Sequence, residues 1–406
     1  MELQLKSDIV LDRIMVNKPH KGATIAIQPR IRKGAFFDAA WRHGCRKFSV
    51  YNRTYISSTF SNPTEEYWNV TKNVAIWPVM GERQVEISGS DAAEFVQLLT
   101  SRDMSTCSVN QCKYALITDE SGGIVCDPII LKLSNDRFWL STSDCDLELW
   151  AKGVAVHAPF KDIKISDANV SVVQIQGPKS PNVIWDMFGE EVLDLRYYWH
   201  RTVNFQGTDL RISRTGWSGE FGYELYLENY EQGDALFDAL IDIGKPYGAA
   251  PGAVNQTRRI ESGILSWGVD MGVEENPYEV GLGRLVELEN DNKFIGRSEL
   301  EKIRKQPLEK TLVGLIIEGP TIEANETPWD LLYKGEKIGR LTSLSYSPRL
   351  EKNIALGLVR NEYSTVGTEL SVFTWEGEKP IYVSNLPFLP KLQTGDARAL
   401  LNNSKI

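Results

Sequence analysis

Asp127 is the residue whose place in the sequence most needs a chemical explanation. It follows the glycine turn at residues 121–123 and lies inside the run IVCDPIIL, which is otherwise suited to burial. Burying a carboxylate without a partner costs free energy, so we expect Asp127 either to accept hydrogen bonds or to take part in a reaction. In the first case Asp127 caps the turn or accepts hydrogen bonds from nearby backbone N–H groups. In the second case it accepts a proton from a bound molecule.

The elements that must position Asp127 predict an α+β protein. Three strand-like runs follow one another around the turn, and they are KYALIT, IVCDPIILKL and RFWLSTS. Strands, hairpins and amphipathic helices then alternate to about residue 305, which favours an α+β layer arrangement over a doubly wound parallel sheet. Beyond about residue 308, short strands follow closely spaced turns, and this pattern predicts a small all-β domain.

A chain of 406 residues is too long for one ordinary core, so we expect several domains. The tail is polar and is expected to be loose, whereas the N-terminal arm is either a crossing segment at a homodimer interface or disordered. The predicted divisions are the arm at 1–33, a first α+β domain at 34–165 with part of 255–305, a second α+β domain at 166–305, a C-terminal β domain at 306–391 and the tail at 392–406.

The composition argues against several kinds of partner. A net charge of -9 argues against nucleic acid and against an anionic membrane surface. No apolar run approaches the roughly 20 residues needed to span a bilayer. Five cysteines without a CxxC pair fit a reducing compartment, and four histidines without clustered Cys/His spacing predict no metal site. The N-terminus lacks a signal-peptide pattern, so a cytoplasmic location is expected.

Several stretches, in their order and spacing, resemble the folate-dependent aminomethyltransferase family, which is founded on the T-protein of the glycine cleavage system. They are YALITDESGGIVCDPIIL, VQIQGP, SRTGWSGEFGYELYL, TRRIESGIL, NPYEVGLGR, FIGRSEL and IGRLTSLSYSPRLEKNIALGLV. Within that family the chain is most similar to the dimethylsulfoniopropionate demethylases. The features shared with that branch are FSVYNRTYISSTF, the ERQV strand, DLELWAKG and the LPFLPK ending.

The resemblance implies a fold and a reaction. The fold is α+β, a three-domain T-protein-like ring of two mixed α/β domains that enclose folate and a C-terminal antiparallel β-barrel or jelly-roll-like domain. The reaction transfers a methyl group from dimethylsulfoniopropionate, or a similar onium osmolyte, to tetrahydrofolate, giving 5-methyl-tetrahydrofolate and 3-methylthiopropionate. A sulfonium or quaternary ammonium donor leaves as a neutral molecule, so the enzyme needs no general acid and must mainly align the reacting atoms.

On the folate side, the resemblance implies roles for single residues. Asp127 contacts the reacting nitrogens and is the candidate proton acceptor, while Cys126 stands where the T-protein usually has a second aspartate. Demethylases also lack that aspartate. Glu224 pairs with the aminopyrimidine edge of the pterin, whose adjacent N–H donors suit one carboxylate; otherwise it faces solvent. Tyr114 packs at the folate site or, alternatively, at a layer boundary.

Four further residues complete the predicted site. Gln176 and Arg259 are assigned to folate binding, although Gln176 can simply shape a turn and Arg259 can simply pair with Glu261. Tyr51 and Trp217 stand at family positions near the methyl-donor pocket, where aromatic faces bind onium ions by cation–π contact.

The departures from the demethylase pattern lie on the donor side. The chain has YNRT where demethylases generally have YNHM, Pro78 where they have an aspartate and Thr202 where they have an aromatic residue. An aminomethyltransferase and a glycine betaine or dimethylglycine demethylase therefore stay open. A non-enzymatic folate-binding regulator on the same scaffold is a further alternative, but GWSGEFGYE lacks the KGCYxGQE-like motif of such relatives.

Overall fold

The structure is a computed structural model and describes residues 24–403, so most of the predicted arm, residues 1–23, lies outside the described residues. The helices are α1 Phe37–Arg42, α2 Pro63–Lys72, α3 Ala92–Leu99, α4 Leu147–His157, α5 Ser180–Phe188, α6 Gly233–Gly244, α7 Gln256–Glu261, α8 Arg297–Ile303 and α9 Ala397–Asn403. The strands are β1 Lys47–Tyr51, β2 Thr54–Thr59, β3 Val74–Pro78, β4 Gln84–Ser88, β5 Cys112–Tyr114, β6 Ile117–Thr118, β7 Ile124–Cys126, β8 Ile129–Lys132, β9 Arg137–Ser141, β10 Lys164–Asp167, β11 Ser171–Gln176, β12 His200–Phe205, β13 Thr208–Ser213, β14 Gly222–Leu227, β15 Ala249–Pro251, β16 Lys310–Ile317, β17 Trp329–Tyr333, β18 Glu336–Ser347, β19 Lys352–Arg360, β20 Glu369–Thr374 and β21 Gly377–Ser384.

The described chain forms two compact units. The mixed-sheet unit comprises residues 25–255, 285–301 and the segment from Lys391, and the barrel unit comprises residues 256–284 and 302–390. The mixed-sheet unit has a five-stranded sheet, in the order β10-β4-β9-β8-β5, and a six-stranded sheet, in the order β12-β13-β14-β11-β3-β15. Among these described strands only β15 and β3 pair in parallel, and the other neighbouring strands of both sheets are antiparallel. The predicted α+β class is confirmed.

The two sheets of the mixed-sheet unit pack against each other through an apolar layer. Trp77 and Val172 contribute to it from the six-stranded sheet, and Leu131 from the five-stranded sheet. Trp139 of β9 and Tyr226 of β14 face each other with ring centroids 6.2 Å apart. Because each strand sends alternate side chains to opposite faces, the outer faces are free to pack on the helices. Glu224 lies on β14, Glu82 between β3 and β4, and Asp127 between β7 and β8.

The described part of the tail, residues 392–403, is not loose, contrary to the prediction. Residues 397–403 form α9, and its Ala397 and Leu401 are buried in the core of the six-stranded sheet. These two positions are four apart, so they share one face of a helix. The described part of the N-terminal arm is also held to the mixed-sheet unit, because the backbone of Arg32 forms hydrogen bonds with the backbones of Arg53 and Tyr55.

The barrel unit confirms the predicted C-terminal β domain. Strands β16 to β21 form a closed barrel in the order β16-β19-β18-β17-β20-β21, and β16 pairs with β21 to close it. Its interior is filled by buried aliphatic side chains together with Trp329. No helix within residues 24–403 is long and apolar enough to cross a membrane.

Candidate active site

The β1–β2 hairpin positions Tyr51. Tyr51 pairs with Thr54 across a two-residue turn made of Asn52 and Arg53. Both turn residues have positive φ, 49° and 55°, which is the conformation of a type I′ hairpin turn and one that asparagine tolerates. Tyr51 also packs directly on Gly81, where a Cβ would lie 2.9 Å from the tyrosine Cβ. Only glycine fits at Gly81 without displacing Tyr51.

Asn52 fastens the hairpin tip to the segment that follows β9. Its backbone N–H donates to Asp144 Oδ1 at 2.7 Å. Its side-chain Nδ2 donates to the carbonyl oxygens of Gly81 at 3.0 Å and Ser143 at 2.8 Å. Since these bonds hold a buried side chain at the turn, they fix where Tyr51 enters the site.

A carboxylate other than Asp127 caps the glycine turn. Asp119 Oδ1 accepts from the backbone N–H groups of Ser121 and Gly123, both at 2.9 Å. The interpretation of Asp127 as the turn cap is therefore wrong. Asp127 Oδ2 accepts a hydrogen bond from the Tyr114 hydroxyl at 3.0 Å. Its Oδ1 is shielded from solvent and has no hydrogen-bond partner among residues 24–403.

Burial sets the protonation of Asp127. It raises the pKa of Asp127 to about 6, against the opposing effect of the Ser143 and Tyr114 hydroxyls. The carboxylate is therefore mostly ionised at neutral pH and has a pKa in the range that suits a general base. The pKa of Tyr51 is also raised, first by burial and then by the negative charges of Glu82 and Asp127. Tyr51 thus lies within the electrostatic reach of both carboxylates.

Glu224 does not face solvent. It is buried on β14, and its Oε1 accepts from Gln174 Nε2 at 2.7 Å. Its Oε2 accepts from the hydroxyls of Tyr226 at 2.7 Å and Thr215 at 2.5 Å. Burial raises the pKa of Glu224, while the hydrogen bonds from Thr215, Tyr226 and Gln174 lower it. The alternative of an exposed strand glutamate is wrong.

Glu82 is a third carboxylate of the site, and sequence reasoning missed it as a site residue. Gln174 Nε2, which bonds Glu224, also donates to Glu82 Oε1 at 3.1 Å, so one amide bridges two carboxylates. Burial and the charge of Glu224 raise the pKa of Glu82 well above its usual value. The Gln174 Oε1 is buried and has no partner among the described residues. The ERQV stretch contains Glu82, but nothing in the alternation of that stretch distinguishes it from a surface glutamate.

The carboxylate cluster consists of Glu82 and Glu224, which share Gln174, and Asp127, whose charge acts together with that of Glu82 on Tyr51. In the part of the chain that the structure describes, no lysine or arginine forms an ion pair with Glu82, Asp127 or Glu224. Like charges held in a buried site raise one another's pKa and attract cations and N–H donors. The cluster can therefore bind a ligand that carries either a positive charge or several N–H groups.

Gln176 and Trp217 belong to one loop arrangement. Gln176 Nε2 donates to the carbonyl oxygens of Thr215 at 3.3 Å and Tyr223 at 3.2 Å, and its Oε1 accepts from Ser218 at 2.6 Å. The amide of Gln176 is thus occupied by the ends of the loop that carries Trp217. Its assignment to folate binding stays a prediction, and the contacts indicate that it positions the loop.

Arg259 lies in the barrel unit and uses its guanidinium within that unit. It forms a buried ion pair with Asp270 and donates to Ser343 at 2.7 Å and Gln256 at 2.9 Å. Glu261, the partner considered from the sequence, instead accepts from Arg349 at 2.6 Å. The assignment of Arg259 to folate binding also stays a prediction.

Two family models match almost the whole described chain. Residues 32–290 match the GCVT N-terminal domain, and residues 310–389 match the glycine cleavage T-protein C-terminal barrel domain. The chain therefore belongs to the glycine cleavage T-protein family.

Curated relatives and a solved structure agree with this assignment. The chain is 34% identical to the dimethylsulfoniopropionate demethylase DmdA of Ruegeria pomeroyi over 361 residues, which are 89% of this chain and 98% of that protein. It is 29% identical to an aminomethyltransferase of Caldanaerobacter subterraneus over 77% of this chain and 84% of that protein. The crystal structure of the glycine cleavage system aminomethyltransferase T from Bartonella henselae superposes with a TM-score of 0.81 at 21% identity, covering 90% of this chain and all of that one, and supports the fold.

Membership in this family confirms two of the predictions. The protein is an enzyme of the folate-dependent methyl and aminomethyl transferases, and tetrahydrofolate is its cosubstrate. The alternative of a non-enzymatic regulator is thereby set aside.

Proposed function

We propose that the enzyme demethylates dimethylsulfoniopropionate, transferring one methyl group from the sulfonium sulfur to a ring nitrogen of tetrahydrofolate. The observation that carries the proposal is the Oδ1 of Asp127, a buried acceptor that has no partner among residues 24–403 and lies within the electrostatic reach of Tyr51. The similarity to the Ruegeria demethylase along nearly its full length supports this choice of donor.

The polar groups of the mixed-sheet unit fit the pterin of tetrahydrofolate. The pterin presents several N–H donors, and the site offers Glu224, Glu82 and the unpartnered Gln174 Oε1 as acceptors. Bound folate supplies the nitrogen nucleophile. Glu224 and Glu82 hold its aminopyrimidine edge, because a carboxylate binds adjacent N–H groups well when both are shielded from water. Tyr114 fixes the orientation of Asp127 beside the reacting end.

A sulfonium donor suits the electrostatics of the same unit. Its positive charge is attracted by the negative charges of the carboxylate cluster, and the aromatic faces of Tyr51 and Trp217 can bind it by cation–π contact. The departing thioether is neutral, so no residue has to protonate it. The protein therefore contributes alignment of the two reactants, which alone can supply much of the rate acceleration.

Asp127 handles the one proton that the reaction releases. When the folate nitrogen becomes methylated it must lose its hydrogen. Asp127 can accept it, because its pKa is about 6 and its Oδ1 has no partner among the described residues. Proton acceptance by a positioned carboxylate contributes roughly 100-fold to 10,000-fold in rate. Asp127 is accordingly the catalytic base, and Tyr114 is a positioning residue.

The test is to incubate the purified protein with tetrahydrofolate and dimethylsulfoniopropionate under anaerobic conditions and to follow both products by mass spectrometry. We expect 5-methyl-tetrahydrofolate and 3-methylthiopropionate to form in equal amounts. Equal amounts exclude spontaneous breakdown of either reactant. Glu224→Gln should weaken tetrahydrofolate binding, whereas Asp119→Asn, on the same hairpin as Asp127, should change neither product.

Two results would count against the proposal. If tetrahydrofolate binds but no methyl moves, the donor is wrong, and transfer from glycine betaine or dimethylglycine in the same assay would identify the alternative demethylase. If methylene-tetrahydrofolate forms from an aminomethyl donor instead, the enzyme is an aminomethyltransferase.

A further inference from the structure

Two cysteine thiols lie in contact beside Asp127. Cys126 ends β7 directly before Asp127, and Cys145 lies in the segment between β9 and α4. Their Sγ atoms are 2.8 Å apart, and Ser143 Oγ lies 3.3 Å from Cys126 Sγ. The two cysteines come from different elements, so the fold, and not their proximity in sequence, brings them together.

We infer that Cys126 and Cys145 form a modification site, at which mild oxidation joins the two thiols in a disulfide that slows the enzyme. A disulfide requires an S–S distance of about 2.05 Å, so the two sulfurs must approach by only about 0.8 Å from their 2.8 Å separation. The other cysteines have different surroundings; Cys45, for example, donates to the Lys47 carbonyl at 3.2 Å.

The solvent exposure of the two thiols determines which one reacts first. Cys145 is partly exposed, whereas Cys126 is buried and has its thiol pKa raised by burial. The Cys145 thiolate therefore attacks a hydroperoxide first; the O–O bond breaks, a sulfenic acid forms and one molecule of water or alcohol leaves. The Cys126 sulfur then attacks the sulfenic sulfur, the S–O bond breaks and a water leaves. Two thiols have then given two electrons and two protons to the peroxide, and an external dithiol returns both by exchange.

The disulfide would displace two segments that hold site residues. Cys145 directly follows Ser143 and Asp144, which hold Asn52 and hence the hairpin tip that carries Tyr51. Cys126 directly precedes Asp127. A misplacement of about 1 Å at a reacting site can cost 100-fold, so a shift shared between the two segments is expected to lower methyl transfer about tenfold. This effect on the rate rests on the proposed function, whereas formation of the disulfide does not.

The first experiment detects the bond itself. The purified full chain is treated with limiting hydrogen peroxide and desalted, since tetrahydrofolate is itself oxidised by peroxide. Remaining thiols are blocked, and the protein is digested without reduction. We expect mass spectrometry to find the peptides of Cys126 and Cys145 linked, and dithiothreitol to separate them. Cys145→Ser should abolish the link and Cys45→Ser should retain it. Oxidation of Cys145 to a sulfenic or sulfinic acid without a linked peptide would overturn the proposal.

The second experiment measures the consequence. Oxidised wild type and Cys45→Ser should lose about tenfold in methyl transfer and regain it with dithiothreitol, while peroxide should leave Cys145→Ser active. Cys145→Ala replaces the serine variant if that variant does not fold. Unchanged transfer by protein shown to be fully linked would overturn the inhibitory effect. If the donor is wrong, the reduced protein transfers no methyl group, but the linked peptide still forms on oxidation. Tetrahydrofolate binding, followed by fluorescence, also needs no donor.

Discussion

In the barrel unit, the buried carboxylate of Asp270 is surrounded by donors. It pairs with Arg259, and its Oδ1 accepts from Thr342 and Ser343, both at 2.6 Å. In the mixed-sheet unit, Asp127 Oδ2 accepts a hydrogen bond from Tyr114, and its Oδ1 has no partner in the described chain. The same chemical group is thus fully satisfied in one unit and half satisfied in the other.

This difference is the one expected between a structural and a reactive carboxylate. A buried charge is stable in a fold when it is paired and hydrogen-bonded, which is the condition of Asp270. Among the described residues no lysine or arginine pairs with Asp127, Glu82 or Glu224, and burial raises the pKa of each. Such groups lower the stability of the folded state and retain the capacity to bind or to take up a proton, which is typical of functional sites.

The largest expected effect is the loss of methyl transfer when the Asp127 charge is removed. Asp127→Asn keeps the shape of the side chain and the Tyr114 contact but removes the proton acceptor. We expect methyl transfer to fall about a thousandfold while the Tm does not fall, since the buried charge that is removed destabilises the folded state. Steady-state formation of methyl-tetrahydrofolate and thermal unfolding measure the two quantities. A rate within a factor of ten of the wild type would remove Asp127 from catalysis.

The corresponding change in the barrel unit should affect stability instead. Asp270→Asn leaves the buried Arg259 without its counter-charge, so unfolding should become easier by about 3 kcal/mol, roughly 150-fold in the folding equilibrium. Urea denaturation followed by fluorescence measures this. Equal stability losses in Asp127→Asn and Asp270→Asn would erase the distinction between the two carboxylates.

Tyr114→Phe tests the role of Asp127 through the pH dependence of the methyl-transfer rate. Asp127 must be ionised to accept a proton, so the rate should decline as the pH falls through about 6. The Tyr114 hydroxyl stabilises the ionised form, and its removal should move this decline to higher pH by about one unit. The profile of kcat against pH tests the shift. A decline that stays in place would mean that another group controls it.

Glu82→Gln tests the thermodynamic cost of the cluster. A carboxyl group whose pKa is raised on folding binds more protons in the folded than in the unfolded state, so its contribution to stability falls as the pH rises through that range. Removing the Glu82 charge should therefore raise the Tm by about 2 °C at pH 8 and change it little near pH 4. The opposite sign, a lower Tm at pH 8, would indicate that the Glu82 charge has a stabilising partner.

The smallest effect concerns the aromatic groups. Trp217→Leu should raise the KM for the sulfonium donor about fivefold, since cation–π contacts contribute of order 1 kcal/mol. The matched change in the barrel core, Trp329→Leu, should lower stability and leave the KM alone, because Trp329 is buried among apolar side chains and packs on Trp375. A donor KM that is insensitive to Trp217 would remove it from the pocket.

The parts of the site that could be predicted are those with a local signal. Asp127 stands out because a charge interrupts an apolar strand, and Glu224 and Tyr51 were found through ordered motifs that resemble a family. Glu82 could not be found in this way, since its partner Gln174 lies 92 residues away. The tail was predicted to be loose because its composition is polar, and the two apolar residues that anchor α9 are too few to outweigh that signal.

The sequence by itself determined the α+β class, the C-terminal β domain and the enzyme family, because periodicity and motif order are properties of the chain. Only the tertiary structure decided which charges are satisfied. Asp119 and Asp127 stand eight residues apart on one hairpin, yet the first caps the turn and the second keeps a free oxygen. Hydrogen-bond partners and burial come from segments distant in sequence, and these set the pKa and hence the chemistry of each carboxylate.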